Sequence, residues 1–296
     1  MKKFAIYTAC IGGYDNIVQP EVVDERFDYF LFTDDAKEDC IGVWQVRQVD
    51  YTNPDKTRIA RYVKTHPEEL LPDYAATLWL DSNIQIISPK VYDRFMELFK
   101  NNIDIASIKH PVRNNIYEEA SKVVELKLEH DRMIFCWCAK LRSEAYPTTD
   151  GLFETNVLFR MNSTVVHSVD KLWWQCINQY SKRDQLSFNY AIWKYKASTA
   201  YYLPEGEDAR NTEVFRYSVH SQKRTEVNHG FFEHVRWWNN YKDPLSRSWA
   251  QRRYFRLYAC PCAPLALYLS TIYDMLCGII GFPKYMIRER NKKMNV

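Results

Sequence analysis

Short runs rich in β-branched and aromatic residues alternate with segments of helical periodicity along this chain. FAIYTAC at 4–10, DYFLFTDD at 28–35 and ATLWLDS at 76–82 are separated by polar or helix-period sequence. A chain with this alternation places its strands in one sheet and packs the intervening helices on the two faces. We therefore predict an α/β fold with a mixed, mostly parallel sheet flanked by helices.

No Gly/Ser-rich linker interrupts the first 230 residues, so we predict one domain over 1–230. Its first part, 1–112, carries most of the sheet, and 113–230 completes the sheet and forms a second wall. A basic and apolar helical extension follows at 231–296. The further predicted elements are helices at 57–65, 88–100, 118–147, 168–180 and 184–195 and strands at 104–110 and 151–160.

The charge balance and the glycine content exclude two classes of protein. Forty Lys and Arg against 37 Asp and Glu leave a net charge of +3. This charge is too small to create an overall positive electrostatic field that would attract nucleic acid. Only eight glycines are present, and neither GxGxxG nor GxxxxGK[ST] occurs. We therefore predict no nucleic-acid partner, and any nucleotide is held by other means than a glycine-rich phosphate loop.

The two ends of the chain bear on its location. The eight cysteines lack metal spacing, and the amino-terminal apolar run is too short for a signal peptide, so we predict free thiols in the cytoplasm. Near the other end, 257–282 is apolar and flanked by basic residues. Residues 252–293 are expected either to lie on the inner face of the plasma membrane or to pack as a hairpin on the protein.

One strand ends in residues that suit a cation. In WLDSNIQI the apolar run stops at Asp81, with Asn83 two positions on. Ligands of α/β sheets bind beyond the carboxyl ends of strands. On extended backbone the two side chains face one side, where their oxygens suit Mg²⁺ or Mn²⁺. The alternative is that Asp81 and Asn83 cap a turn.

Five strings occur in an order typical of a known family: YTACIGGYD at 7–15, FLFTDD at 30–35, WLDSNIQI at 79–86, KHPVRNNIYEEA at 109–120 and KRDQLSFNY at 182–190. Together they resemble the glycosyltransferase-like family of the plant turgor-regulation-defect and mucilage-related proteins, which has bacterial members. The resemblance covers about residues 4–195. It implies a GT-A-like, Rossmann-related fold that binds a nucleotide-diphosphate sugar with Mn²⁺ or Mg²⁺.

The resemblance also implies roles for single residues. Asp81 matches the first Asp of the metal motif, and Asn83 stands where many GT-A enzymes have a second Asp. Asp184 and Gln185 match a pair that lies beside the donor sugar in the glycogenin-like retaining transferases. A late histidine completes the metal site there, and His220 and His229 are both candidates.

The remaining assignments concern the donor and the acceptor. Three-residue spacing spreads Arg58, Arg61 and Lys64 over one side of a helix, where they offer positive charge to a leaving diphosphate. If the reaction inverts, Glu118 or the neighbouring Glu119 is the candidate base toward an acceptor, with simple helix-start charge as the alternative. The donor contacts that we assign are Tyr7, Thr8 and Ala9 at the end of the first strand, Asp34, Arg58, Arg61, Lys64, Asp81, Ser82, His110, Arg113 and Asn156.

These observations predict a metal-assisted glycosyltransferase that transfers a sugar to a glycan or lipid-linked acceptor in cell-surface polysaccharide synthesis. The pair at Asp184 and Gln185 favours retention of the anomeric configuration. The rival is a noncatalytic nucleotide-sugar- or glycan-binding protein with a degenerate site. A hydrolase ranks last, because the sequence has no GxSxG motif.

Overall fold

Residues 4–126, 128–147 and 151–221 are described by a computed structural model, together with Ile272 and Leu276. Two compact units divide the chain, Met1–Ile116 with Thr149–Arg224 and Tyr117–Thr148 with Thr225–Val296. The described residues do not include the predicted domain boundary at 230 or His229. They also leave out nearly all of the predicted extension with its membrane segment. The predicted division into domains therefore stays a prediction.

The strands of the first unit are β1 Phe4–Cys10, β2 Phe27–Thr33, β3 Cys40–Ile41, β4 Trp44–Gln48, β5 Ala76–Leu80, β6 Ile84–Ile86, β7 Ile105–Lys109, β8 Phe153–Met161, β9 Thr199–Tyr201 and β10 Phe215–Tyr217. Eight of them form one sheet in the order β3-β4-β2-β1-β5-β8-β7-β9. Strands β4, β2, β1 and β5 are parallel, β8 is antiparallel to both of its neighbours, and β9 is parallel to β7. A short antiparallel pair joins β6 to β10. The predicted α/β class with a mixed sheet is confirmed.

Two helices of the first unit begin at a side-chain cap. The Asp55 side chain accepts a hydrogen bond from the Thr57 amide at the start of the first helix. The Ser163 side chain accepts one from the Val166 amide at the start of the sixth helix. The bounds are α1 Lys56–Thr65, α2 Pro67–Leu70, α3 Lys90–Lys100, α4 Ile116–Glu125, α5 Asp131–Ser143, α6 Thr164–Gln179 and α7 Gln185–Tyr195. Helices α4 and α5 lie in the second unit, apart from Ile116. The predicted helical stretch 118–147 is thus two helices.

Strand β1 is buried along its whole length, as expected of a central strand covered on both faces. Phe4 and Ile6 pack in a core with Phe95 of α3, while Ala5 and Tyr7 pack in a second core with α1, α6 and α7. Because β1 runs on to Cys10, Tyr7, Thr8 and Ala9 lie within the strand. The Tyr7 side chain is fully buried and belongs to the core.

A buried arginine joins the sheet to two helices. Arg160 of β8 is 1% exposed and donates to the Asp170 carboxylate of α6 at 2.7 Å. Its Nη2 atom donates to the Lys64 carbonyl at the end of α1 at 2.6 Å and contacts the Tyr7 hydroxyl. The last turn of α1 is therefore fixed against the middle of the sheet by a charged group that water does not reach.

Two further findings concern features named from the sequence. Within the described part of the chain, Cys10, Cys40, Cys136, Cys138 and Cys176 are free, as predicted for those positions. Among the described residues, every helix is too short or too polar to cross a bilayer.

Asp170→Ala tests the buried pair. It leaves the Arg160 guanidinium without its counter-charge in a dry interior, so we expect the free energy of unfolding to fall by about 3 to 5 kcal/mol. Urea unfolding at neutral pH measures this. Arg160→Met with Asp170→Val removes both charges and should cost less than the single change; a single change costing under about 1 kcal/mol would contradict this account.

Candidate functional site

The carboxyl ends of the parallel strands β1, β2 and β5 meet at one edge of the sheet. Gly12 follows β1, Asp34 follows β2 and Asp81 follows β5. Ligands of open α/β sheets characteristically bind in the crevice beyond this edge. We refer to it as the carboxyl edge.

Asp81 lies at the centre of the carboxyl edge. Its amide donates to the Asn156 carbonyl at 2.9 Å, which continues the pairing of β5 with β8 by one step. Its carboxylate oxygen Oδ1 accepts from the indole of Trp79 at 2.8 Å and lies 3.3 Å from the Lys64 ammonium. The side chain remains 28% exposed, so Asp81 is fixed from within and open toward solvent.

Asn83 does not share this position, because the backbone after Asp81 is not extended. The Ile84 amide donates to the Asp81 carbonyl at 2.9 Å, which closes a turn, so the expectation that alternate residues face one side does not apply. The Asn83 side chain is 3% exposed, and its Nδ2 donates to the Ser218 carbonyl at 2.7 Å. Asn83 therefore fastens a neighbouring loop.

Lys64 is the buried cation of the site. Its ammonium lies 2.7 Å from Asp184 Oδ2, 3.2 Å from Thr155 Oγ1 and 3.3 Å from Asp81 Oδ1. These three oxygens match the three N–H donors of an ammonium group. The residue is 1% exposed, so it connects the end of β5, strand β8 and the start of α7 out of contact with water.

Asp184 is buried on the far side of Lys64. Its Oδ1 lies 3.2 Å from the Arg61 guanidinium, its Oδ2 accepts from Thr155, and the Trp173 indole donates to its carbonyl. Burial by itself would raise the pKa of the Asp184 carboxyl, but Arg61 and Lys64 outweigh it and hold that pKa well below its ordinary range. Asp184 precedes α7 without capping it through its side chain, so its charge is directed at the two cations.

A bulge in β8 places Thr155 toward Lys64. Ser107 of β7 pairs with Leu158, whereas the next residue, Ile108, pairs with Glu154. The three residues of β8 between them therefore have no paired residue on β7. The Ser107 hydroxyl lies 2.6 Å from the Glu154 carbonyl and 2.7 Å from that of Val157. Bulges of this kind redirect side chains and are common next to functional sites.

Four polar atoms near this edge are buried without a hydrogen-bond partner in the described residues. They belong to four different elements: Thr8 Oγ1 on β1, Arg61 Nε on α1, Asn156 Oδ1 on β8 and Gln185 Nε2 on α7. A buried polar group without a partner costs about 1 to 3 kcal/mol, and a bound ligand can supply the missing partner.

The turn after β1 meets the end of β2. Gly12 and Gly13 have φ of +65° and +61°, which favour glycine, and the Gly12 amide donates to Asp34 Oδ1 at 2.7 Å. Lys56 at the start of α1 forms an ion pair with the same carboxylate. Asp34 is thus held at the carboxyl edge, beside an exposed backbone turn.

Other assigned residues have different surroundings. Arg58 donates to the Ile177 carbonyl at the end of α6, so the predicted cationic side of α1 is divided. His110 is buried, and its Nδ1 accepts hydrogen bonds from the backbone amides of Val112 and Arg113. Burial and the positive charge of Arg113 lower the pKa of His110 to about 4. Arg113 is half-buried, and Glu118 is exposed on α4 in the second unit.

Asp15 was missed in the sequence analysis. Its carboxylate accepts from Ser82 Oγ at 2.6 Å and from the Ser221 amide at 3.1 Å, and it lies 2.9 Å from His220 Nδ1. It belongs to the YTACIGGYD string, which gave a signal, but nothing in the string indicated partners so distant in the chain. His220, one of the two candidate histidines, therefore shares the Asp15 carboxylate with Ser82, the residue that follows Asp81.

The residues present accommodate a divalent ion only together with a ligand. Within the described ranges, no group of three or more His, Cys, Asp or Glu side chains is arranged to hold a metal. Magnesium sites, however, typically use one or two carboxylates and complete the shell with substrate phosphates and water. Asp81, partly exposed, and His220 fit that pattern, whereas Asn83 is buried and donates through Nδ2 to the Ser218 carbonyl.

A sheet of this topology with acidic and basic side chains gathered at its carboxyl edge is typical of proteins that bind nucleotides. The family model of the TOD1/MUCI70, glycosyltransferase-like domain matches residues 2–220. The chain belongs to this family, which confirms the predicted resemblance.

A curated relative is similar over much of the chain. It is the probable hexosyltransferase MUCI70 of Arabidopsis thaliana, which is 21% identical over 248 residues. The match covers 74% of this chain and 42% of that protein, so the chain spans less than half the length of this relative.

Asp184→Asn tests the charge balance around Lys64. Since the folded-state pKa of Asp184 lies below the ordinary value of about 3.9, its stabilisation is complete above that value and is lost as pH falls through the lower folded pKa. We expect the variant to be about 3 kcal/mol less stable at pH 7, and the difference to shrink below about pH 5. Urea unfolding across this range measures both.

The matched control is Asp24→Asn, which removes a more exposed ion pair with Arg26 before the amino end of β2. It should cost less than about 1 kcal/mol at neutral pH. A stability difference for Asp184→Asn that stays constant down to pH 3 would show that this carboxylate does not have the depressed pKa described above.

Proposed function

We propose that this protein is a glycosyltransferase that moves a sugar from a nucleotide-diphosphate sugar to a glycan or lipid-linked acceptor. The observation that carries the proposal is the cluster of Asp81, Lys64 and Asp184 at the carboxyl edge, in a member of a glycosyltransferase-like family. The name of the Arabidopsis relative supports a hexose as the transferred group.

Different parts of the carboxyl edge suit different parts of the donor. The exposed turn at Gly12 and Gly13 and the carboxylate of Asp34 offer an amide surface and a hydrogen-bond acceptor for the nucleoside. Asp81 faces the diphosphate. The unpartnered atoms of Gln185 and Asn156 are suited to sugar hydroxyls, which would complete their hydrogen bonding.

The protein's own charges near Asp81 are balanced before any donor binds. Asp81 and Asp184 carry two negative charges, and Lys64 and Arg61 carry two positive ones. Breaking the bond between the sugar and the diphosphate leaves further negative charge on the diphosphate. A divalent ion held by Asp81 and His220 would supply the additional positive charge when bound.

The residues of the cluster then have separate tasks. Lys64 and Arg61 hold Asp184 ionised and fixed beside the sugar, and Lys64 also holds Asp81. Fixed charges in a water-poor site stabilise a developing charge without reorganising, which is commonly the largest contribution to catalysis. Glu118 or Glu119 as acceptor base is a proposal for an inverting reaction only, and both residues lie on α4 in the second unit.

We infer a cytoplasmic setting in cell-surface polysaccharide synthesis, with 252–293 contacting the inner face of the plasma membrane. The free cysteines of the described part support a reducing compartment. Binding to anionic liposomes that is lost on truncation after residue 250 would support the membrane contact.

A second candidate is a noncatalytic nucleotide-sugar-binding protein. The asparagine at position 83 favours it, because an amide is a weaker, neutral ligand than the second Asp of the metal motif and this side chain is buried against the Ser218 carbonyl. Donor hydrolysis with Mn²⁺ separates the two, since a binding protein would retain the donor intact.

Asp81→Ala should reduce transfer by about 100-fold or more, the cost of losing one preorganised electrostatic contact. Thermal unfolding with UDP- and GDP-sugars and Mn²⁺ measures donor binding, because a ligand at 100 times its Kd adds about 2.7 kcal/mol of stability. The Mn²⁺-dependent part of that gain should disappear in the variant. The companion change Asp24→Asn should leave both readouts unaltered, and full turnover in Asp81→Ala would refute the assignment.

Retention of the anomeric configuration is expected if Asp184 and Gln185 act as they do in the similar retaining transferases. Proton NMR of the first product formed from an α-linked donor distinguishes the outcomes through the coupling constant of the anomeric proton. An α-linked product supports the expectation, and a β-linked product overturns it.

A further inference from the structure

The segment after β10 crosses the carboxyl edge and is fastened to two of its loops. The Ser218 amide donates to the Asn83 carbonyl at 2.9 Å, and the Asn83 side chain donates back to the Ser218 carbonyl. These bonds extend the β6–β10 ladder by one residue, because Ile84 pairs with Tyr217. The ladder therefore brings the following residues, including His220, to the turn that begins at Asp81.

Asp15 fixes the far end of this segment. Its buried carboxylate accepts a hydrogen bond from the Ser221 amide. It also faces the His220 ring, whose Nδ1 lies 2.9 Å from Oδ2 and 3.2 Å from Oδ1. An ionised carboxylate is only an acceptor, so Nδ1 carries the hydrogen of this bond. In a neutral ring the lone pair is then on Nε2, which makes no hydrogen bond within the described residues.

The same carboxylate also holds the loop of Asp81. Ser82 Oγ donates to Asp15 Oδ2 at 2.6 Å, and Ser82 is the residue directly after Asp81. One buried carboxylate thus sets both the histidine and the backbone next to the aspartate. Metal-binding histidines commonly donate their second ring N–H to a carboxylate, which fixes the tautomer and the ring orientation.

We propose that Asp15 is a positioning residue that holds His220 with Nε2 as the ligand for a divalent ion shared with Asp81 and a diphosphate. This rests on the proposed metal-assisted function. Asp15 touches neither the ion nor the donor; it acts through His220. It also explains why a carboxylate is buried in the loop after β1, at a position with no other charged partner in the described part of the chain than His220.

The test is Mn²⁺ binding, followed by electron paramagnetic resonance of free Mn²⁺, for MnCl₂ titrated in the presence of UDP or GDP. Asp15→Asn permits the other tautomer of His220, because an amide can donate to Nδ1 as well as accept from it. We expect the Kd to rise about 10- to 100-fold, the usual cost of losing such a partner. His220→Ala, at a partly exposed position, should give a similar rise, and Asp24→Asn should give none.

The double variant separates positioning from an independent contribution. If Asp15 acts through His220, Asp15→Asn with His220→Ala should bind Mn²⁺ no more weakly than His220→Ala alone. Multiplied effects in the double variant, or normal binding by either single variant, would overturn the inference and leave the proposed function standing. Failure of the unaltered chain to bind Mn²⁺ with either nucleotide would overturn the metal-assisted function together with the inference.

Discussion

The arrangement of the site depends on one buried ammonium group. Removing the charge of Lys64 from water costs several kcal/mol, and only well-placed oxygens offset that cost. Asp81, Thr155 and Asp184 supply these oxygens from the end of β5, from β8 and from the start of α7. Because all three must be in place together, the burial of one lysine aligns three elements that are far apart in sequence.

A second layer of buried polar groups supports Lys64 from behind. Arg160 binds the carbonyl of Lys64 and the carboxylate of Asp170, so the backbone that carries the ammonium is also bonded to the sheet. The bulge of β8, fastened by Ser107, then turns Thr155 toward the same group. These buried hydrogen bonds join β8 to α1 and α6, while Arg160 Nε and Asp170 Oδ2 have no hydrogen-bond partner in the described residues. The carboxyl edge is therefore organised before a ligand arrives.

Two separate sets of contacts hold the two sides of the carboxyl edge. Asp15 and the segment after β10 fasten the loop of β1 to the loop of β5, whereas Lys64 fastens β5 to α7. Asp81 lies between these two sets of contacts and keeps one side open. This accounts for a partly exposed Asp81 carboxylate between two sets of buried polar contacts.

Local pattern was enough to determine the strands β1, β2, β5, β7 and β8, the main helices and the family. Apolar alternation, helical spacing and capping residues act over a few positions, and the strings at Asp81 and at Asp184 can be recognised on their own. The partners of those residues could not be derived in this way, because Lys64 lies 120 positions from Asp184 and Asp15 lies 205 positions from His220. The separation of Arg58 from Lys64, the turn that removes Asn83 from Asp81 and the bulge at Thr155 were decided by tertiary packing. Each depends on hydrogen bonds and ion pairs between residues far apart in sequence, and these form only when the sheet and its helices come together.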